Sequence, residues 1–215
     1  MMRSATMGML VLVLLLSAPG CSALKKPYPD QKSYLLEVVH PDTQPLAGRQ
    51  LVLKIDSASV AASYQGVEFV YRQKDGSLVA DFYNNFFQPP GVLLTEQLRQ
   101  WFSGPTMDPL VLRATDPDLA THGLHVRMRS LYGDYSGENP EAVMEMEVIL
   151  SRQEGPRMVP LFRNIYSGRR PLGDDSPGML VEGWNRVLGD MLSELNQDLL
   201  DLDLQPWRAP DGGVQ

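Results

Sequence analysis

The chain has 215 residues, a net charge of −7 and a single cysteine. That length is enough to bury one good-sized core. An acidic chain repels phosphate backbones, which argues against nucleic-acid binding, and a lone cysteine forms no internal disulfide, so the fold rests on packing.

Arg3 precedes an uncharged apolar run over residues 7–16, followed by Ser17, Ala18, Pro19, Gly20 and Cys21. A spanning helix takes about 20 apolar residues, so this run is too short to cross a bilayer and suits the h-region of a secretory signal peptide. The ending Ala18-Pro19-Gly20-Cys21 resembles the lipobox of bacterial lipoproteins, with alanine at 18 where leucine is usual. The resemblance implies cleavage after a signal peptide over 1–20 and acylation of Cys21, with palmitate among the acyl groups. A chain so modified is tethered by lipid rather than by a transmembrane helix. Ser22, in place of the aspartate that usually retains such proteins at the inner membrane, implies the outer membrane with the domain facing the periplasm.

Residues 21–32 carry two prolines and polar side chains and read as a short tether. Strands are expected over 33–39 and 50–56, the second from its apolar–polar alternation. Residues 67–73 and 78–84 flank Asp75-Gly76, a strong hairpin signal. A two-residue loop there predicts a core face of Val67, Phe69, Tyr71, Ala80, Phe82 and Phe86. It also sets Arg72 diagonal to Asp81 and Glu68 opposite Tyr83. After Pro89-Pro90-Gly91, Leu94, Leu98, Trp101 and Phe102 fall at helical spacing, and Gly104-Pro105 stops that helix. A short strand is expected over 110–112 and long ones over 122–135, 141–152 and 157–166. In the 141–152 strand Ala142, Met144, Met146, Val148 and Leu150 share a face. A last helix is expected over 176–202, N-capped by Ser176, with Leu180, Trp184, Val187, Leu188, Met191, Leu195 and Leu202 on one stripe that Asp198 interrupts.

The pattern at Gln65-Gly66-Val67, Tyr71-Arg72, Asp81-Phe82-Tyr83-Asn84, Pro89-Pro90 and Leu98 resembles the ABC-type transport auxiliary lipoprotein family, whose best-known branch is the paraquat-inducible protein C type. Pro171-Leu172, Ser176-Pro177, Leu180-Val181, Trp184-Asn185 and Leu188 agree with it. The resemblance implies a non-enzymatic accessory of an MCE-type lipid transport system, partnered by an MCE-domain protein and by ABC permease and ATPase subunits. Lipid and a second copy of the chain are further partners to test, and no cofactor is implied. A structural or assembly lipoprotein acting on outer-membrane proteins or on cell-wall attachment is the alternative. The expected fold is α+β: a mixed, mostly antiparallel sheet with two main helices packed on it, in one domain over 33–204 with a tail over 205–215.

Chemistry-bearing motifs are sparse. No Gly-x-Ser-x-Gly elbow and no phosphate-binding Gly-x-x-x-x-Gly-Lys occurs. His122 and His125 lie three apart, which on a strand points them to opposite faces. Asp116-Pro117-Asp118 lacks the glycine and glutamate of a calcium loop. Two stretches are expected to meet a partner. One is the Arg72, Asp81 and Tyr83 face of the hairpin. The other is the acidic, leucine-rich end of the last helix with Leu199 and Leu200, continued by Trp207 and Arg208.

Overall fold

The computed structural model describes residues 30–39, 52–103 and 120–202, together with the backbone of 110–112. Cys21, Trp207, Arg208 and the Asp116–Asp118 pair lie outside these residues, as does the tail. In chain order the elements are β1 (Lys32–Tyr34), β2 (Val52–Ile55), β3 (Ser59–Val60), a 3-10 turn (Ala62–Tyr64), β4 (Glu68–Arg72), β5 (Leu78–Phe86), α1 (Pro90–Phe102), β6 (Leu110–Leu112), β7 (His122–Asp134), β8 (Glu141–Glu154), β9 (Arg157–Pro171) and α2 (Pro177–Asp201).

β7 is the axis of the sheet. One edge pairs along its whole length with β8, antiparallel, and β8 pairs in turn with β9. The other edge is tiled by three short strands in chain order: β2 beside Leu53↔His122, β3 beside Ser59↔Arg127 and β4 beside Tyr71↔Gly133. All three run parallel to β7, and β6 and β1 add parallel partners to β2 and β5. This qualifies the expected mostly antiparallel sheet: five of the eight pairings among the described residues are parallel, although the two long ladders, β7–β8 and β8–β9, are antiparallel, so the sheet is mixed. A hairpin has local turn signals, whereas the parallel pairings here join residues about fifty to seventy positions apart and leave none in the sequence.

The expected pair of main helices is corrected too. The sheet dominates the fold, and one long helix, α2, packs on it. Ser176 caps α2 by accepting the Met179 N–H at 3.3 Å, and Pro177 occupies the first turn. Its stripe of Leu180, Trp184, Val187, Leu188, Met191 and Leu195 is buried, as expected from its period. Gly183 lets the helix approach β8 closely: a Cβ there would lie 2.6 Å from the Ala142 Cβ. The shorter α1 lies by β2 and β3 and contributes Leu94, Leu98, Trp101 and Phe102 to the same core.

On β8, Ala142, Met144, Met146, Val148 and Leu150 are all fully buried. On β7 the core-facing set is Leu124, Val126 and Met128, and then Leu131. The spacing changes because the register with β8 shifts between Met128 and Ser130, making Arg129 the extra residue of a bulge.

β1 ends at Tyr34, shorter than the strand expected over 33–39. Beyond it the chain finds side-chain partners instead of a strand. The Glu37 N–H donates to Asn185 Oδ1 of α2 at 3.0 Å, and the Val38 N–H to Gln97 Oε1 of α1 at 2.8 Å. Leu36, just before them, is buried in the core.

Candidate partner surface on the β4–β5 hairpin

The hairpin turns through Lys74, Asp75 and Gly76. The Gln73 N–H donates to the Ser77 carbonyl and the Gly76 N–H to the Gln73 carbonyl, both at 2.9 Å. Gly76, at φ +82°, supplies the left-handed residue that a three-residue loop requires. This loop sets Arg72 opposite Leu78 and Tyr71 opposite Val79. The two-residue loop predicted from Asp75-Gly76 is therefore wrong by one residue, enough to change which side chains meet. Arg72 does not reach Asp81. Glu68 lies opposite Asn85 rather than Tyr83, and Ala80 and Phe82 are exposed rather than core-facing. Phe69 and Phe86 do enter the core, against Trp184, at ring-centroid distances of 5.0 and 5.3 Å.

Arg72 instead makes a two-bonded ion pair with Asp134 at the end of β7, its Nε donating at 3.1 Å. Arg169 of β9 donates to the same carboxylate at 3.1 Å and to Glu141 at 3.0 Å, and the Ser136 hydroxyl donates to it at 2.6 Å. Burial alone would raise the Asp134 carboxyl. The hydrogen bonds from Arg72, Ser136 and Arg169 outweigh it and hold the group well below the usual carboxylate range. The Arg72 guanidinium also lies 5.2 Å from the Tyr132 ring centroid. Two arginines against two carboxylates leave no net charge, so the cluster fastens β4, β7 and β9 together. Sequence reasoning missed Asp134 and Arg169, since nothing local to either residue signals the β4–β7 pairing.

Asp81 has a different task. Between the pairs Val70↔Ala80 and Glu68↔Asn85, β4 contributes one residue, Phe69, and β5 contributes the four at 81–84. The Asp81 carboxylate holds this wide bulge, accepting from the Tyr71 hydroxyl at 2.7 Å, the Tyr83 N–H at 2.7 Å, and the Asn84 N–H and Nδ2 at 3.1 and 2.8 Å. An aspartate in a strand is disfavoured, and its affinity for N–H groups two and three residues on is the turn chemistry seen here. Asp81-Phe82-Tyr83-Asn84 therefore carried a readable bulge signal. The bulge turns Phe82 and Tyr83 outward. They are 54% and 47% exposed, with their rings edge to face at 5.3 Å.

The end of α2 is built differently from the surface expected there. Leu199 is buried in the core and Leu200 is half-buried against it. Asp198, which interrupts the apolar stripe, accepts the Tyr166 hydroxyl at 2.6 Å and Asn164 Nδ2 at 3.0 Å. These are helix-to-sheet bonds, not a display. His122 is buried while His125 is exposed and pairs with Asp56 at 2.9 Å, so the two histidines do point apart. Two open grooves, of about 400 Å³ beside Val60, Thr95 and Arg99 and about 630 Å³ beside Val38, Asn185 and Arg186, are rimmed by charges already paired with one another, among them Arg99–Glu96 and Arg186–Glu182.

No family model and no curated protein matches this sequence. Solved structures share its fold. Protein XCC0632 of Xanthomonas campestris, a DUF330 family protein, aligns with a TM-score of 0.65 at 17% identity over 79% of this chain and 95% of that chain. An uncharacterized protein aligns with a TM-score of 0.60 at 16% identity over 79% and 99%. A looser likeness, with a TM-score of 0.31 at 12% identity over 71% and 99%, is to the lipoprotein GNA1162 of Neisseria meningitidis. The first two likenesses establish that this chain has the fold of the DUF330 protein.

Proposed function

We propose that this chain is a lipid-anchored, non-catalytic protein of the bacterial envelope that serves as the periplasmic accessory of an MCE/ABC-type lipid transport system. The observation that carries the reading is the leader: the apolar run over 7–16 followed by Ala18-Pro19-Gly20-Cys21. The family resemblance of the hairpin and the last helix supports the transport role. A scaffold role is supported by the use the fold makes of its partly or fully buried acids. Asp81 holds a bulge, Asp134 fastens three strands and Asp198 fastens helix to sheet. The anchor, with Ser22 after Cys21, places the domain at the inner leaflet of the outer membrane in this reading.

Two measurements test it. Cys21→Ser is expected to leave the precursor unprocessed and without acyl groups; a mutant processed and fractionating like the wild type overturns the anchor. Tagged wild-type protein purified in mild detergent from native membranes is expected to carry an MCE-domain protein with its permease and ATPase. Co-purification of outer-membrane assembly or cell-wall proteins alone overturns the transport role.

A further inference from the structure

β5 carries the largest display of apolar side chains among the described residues. Leu78, Val79, Phe82 and Tyr83 are each between 46% and 54% exposed, and Phe87 just past the strand is 68% exposed. Two features say what covers it. The first is that the strand edge at the bulge is closed to a further strand. β1 covers β5 only from Asn84 to Phe86, and ahead of that point the edge groups are taken by side chains. The Phe82 carbonyl accepts from Gln31 Nε2 at 3.0 Å, and the Tyr83 N–H donates to Asp81. A blunted edge of this kind discourages strand addition, so what the bulge offers is its aromatic rings.

The second feature is covalent reach. Gln31, bonded to Phe82, lies ten residues after Cys21 in the sequence, and ten residues fully extended span at most about 33–36 Å. An acylated Cys21 in a bilayer therefore keeps Gln31, and the bulge bonded to it, close to that bilayer. Tyrosine is enriched at the membrane–water interface, and phenylalanine is among the side chains that interfacial elements bury in it.

We propose that the Phe82–Tyr83 bulge is a membrane-contact site that seats in the phospholipid interface beside the anchor and fixes the orientation of the domain on the bilayer. This rests on the acylation of Cys21 proposed above. The acyl chains supply the binding, so the aromatic pair decides which face the domain turns to the membrane, not whether it stays there. Lys32 and Lys74 are outnumbered around the bulge by Asp30, Glu68, Asp75 and Asp81, so attraction to anionic headgroups does not supply the contact, which is apolar in character and persists when salt is raised.

The test uses the full acylated protein reconstituted in vesicles of phosphatidylethanolamine with a quarter phosphatidylglycerol. Cys21 is the only native cysteine, so once acylated it leaves an introduced thiol unique for a nitroxide label. Phe82→Cys and Tyr83→Cys report on the bulge. Arg157→Cys, at the exposed start of β9 across the sheet, reports on water. The expected result is a several-fold higher ratio of oxygen to nickel-chelate accessibility at 82 and 83 than at 157, unchanged by high salt. Labels at 82 and 83 as open to the chelate as the label at 157 overturn the proposal while leaving the anchor intact. Labels shielded from both reagents also overturn it, because a protein surface then covers the bulge. The mass of the reconstituted chain separates the remaining case: absence of acyl groups on Cys21 overturns the anchor, and the membrane contact falls with it.

Discussion

β8 and β5 are both interior strands of one sheet, and both are rich in apolar residues, yet they put those residues to opposite uses. On β8 the alternating set from Ala142 to Leu150 is fully buried. On β5 Leu78, Val79, Phe82 and Tyr83 are about half exposed. The cause is coverage. β8 has a full-length strand on each side and α2 on its inner face. β5 has β4 and β1 only over short stretches, and a bulge between them. Apolar residues on a strand are therefore buried only where a second layer arrives.

Trp184 is where the two regions meet, and its loss gives the largest expected effect. It rises from α2, packs between Phe69 and Phe86 from the β4–β5 corner, and donates its indole N–H to the Tyr132 carbonyl at 3.2 Å. Trp184→Ala is expected to cost roughly 3–5 kcal/mol, read as a lower urea midpoint. A loss under about 1 kcal/mol with two-state unfolding would mean that the corner and the long strands are not joined through this ring.

The second fastening is electrostatic. Asp134→Ala leaves Arg72 and Arg169 without their shared buried partner. Breaking a fully buried pair costs about 3–5 kcal/mol. Both arginines are partly solvated, so screening brings the expected loss to roughly 1–3 kcal/mol. Because the Asp134 pKa is depressed, the stability it confers is present above the ordinary carboxylate range and is lost as pH falls below it. Wild type and Asp134→Ala are thus expected to converge in stability in strong acid. Equal offsets at neutral and at strongly acid pH would contradict the pairing.

How much of this could be read in advance depended on distance along the chain. The α2 stripe from Leu180 to Leu195, its Ser176 cap and the β8 face rest on local periods and are found as expected, while Leu202, expected on the same stripe, lies past the helix end and is half-buried. The hairpin was legible but its register was not, because Asp75-Gly76 serves equally in a two-residue loop and in a three-residue loop that begins at Lys74. The β2–β7 and β4–β7 pairings and the Arg72–Asp134 bond join distant residues, and no local propensity encodes them. At the site, the sequence points to Asp81 and Tyr83 but sets them against Arg72 and Glu68, whereas the observed register pairs Arg72 with Leu78 and Glu68 with Asn85. Leu199, read as surface, belongs to the core because α2 continues to pack through its last turn.

His122 provides a smaller, pH-dependent probe of the long-stranded half. It is buried, with Nδ1 2.9 Å from the Thr121 hydroxyl, and burial and then the nearby Arg152 push its pKa down from 6.5 to about 4. A histidine buried neutral confers its stability fully above the unfolded pKa and loses it as pH falls through the folded one. The domain is expected to lose about 1–3 kcal/mol between pH 6.5 and pH 4 from this group. His122→Gln should flatten that slope in a pH series of urea midpoints. An unchanged slope would assign it to other groups.

The smallest effect is expected at the most conspicuous apolar surface, and it discriminates best between the two regions. If the β5 aromatics were a piece of core left imperfectly covered, Phe82→Ser with Tyr83→Ser would weaken the domain as a core truncation does. Their rings touch each other and are about half solvated, while the bulge beneath is held by Asp81 through the Tyr71 hydroxyl and main-chain N–H groups that the double substitution leaves in place. Stability should therefore shift by no more than about 0.5 kcal/mol. Asp81→Ala, which removes four accepted hydrogen bonds but no apolar surface, should cost more, about 1–2 kcal/mol. That ordering, a polar residue outweighing two aromatic ones, is the reverse of what holds around Trp184. Urea unfolding of the two variants side by side reads it directly, and a double serine variant less stable than Asp81→Ala would make Phe82 and Tyr83 part of the core.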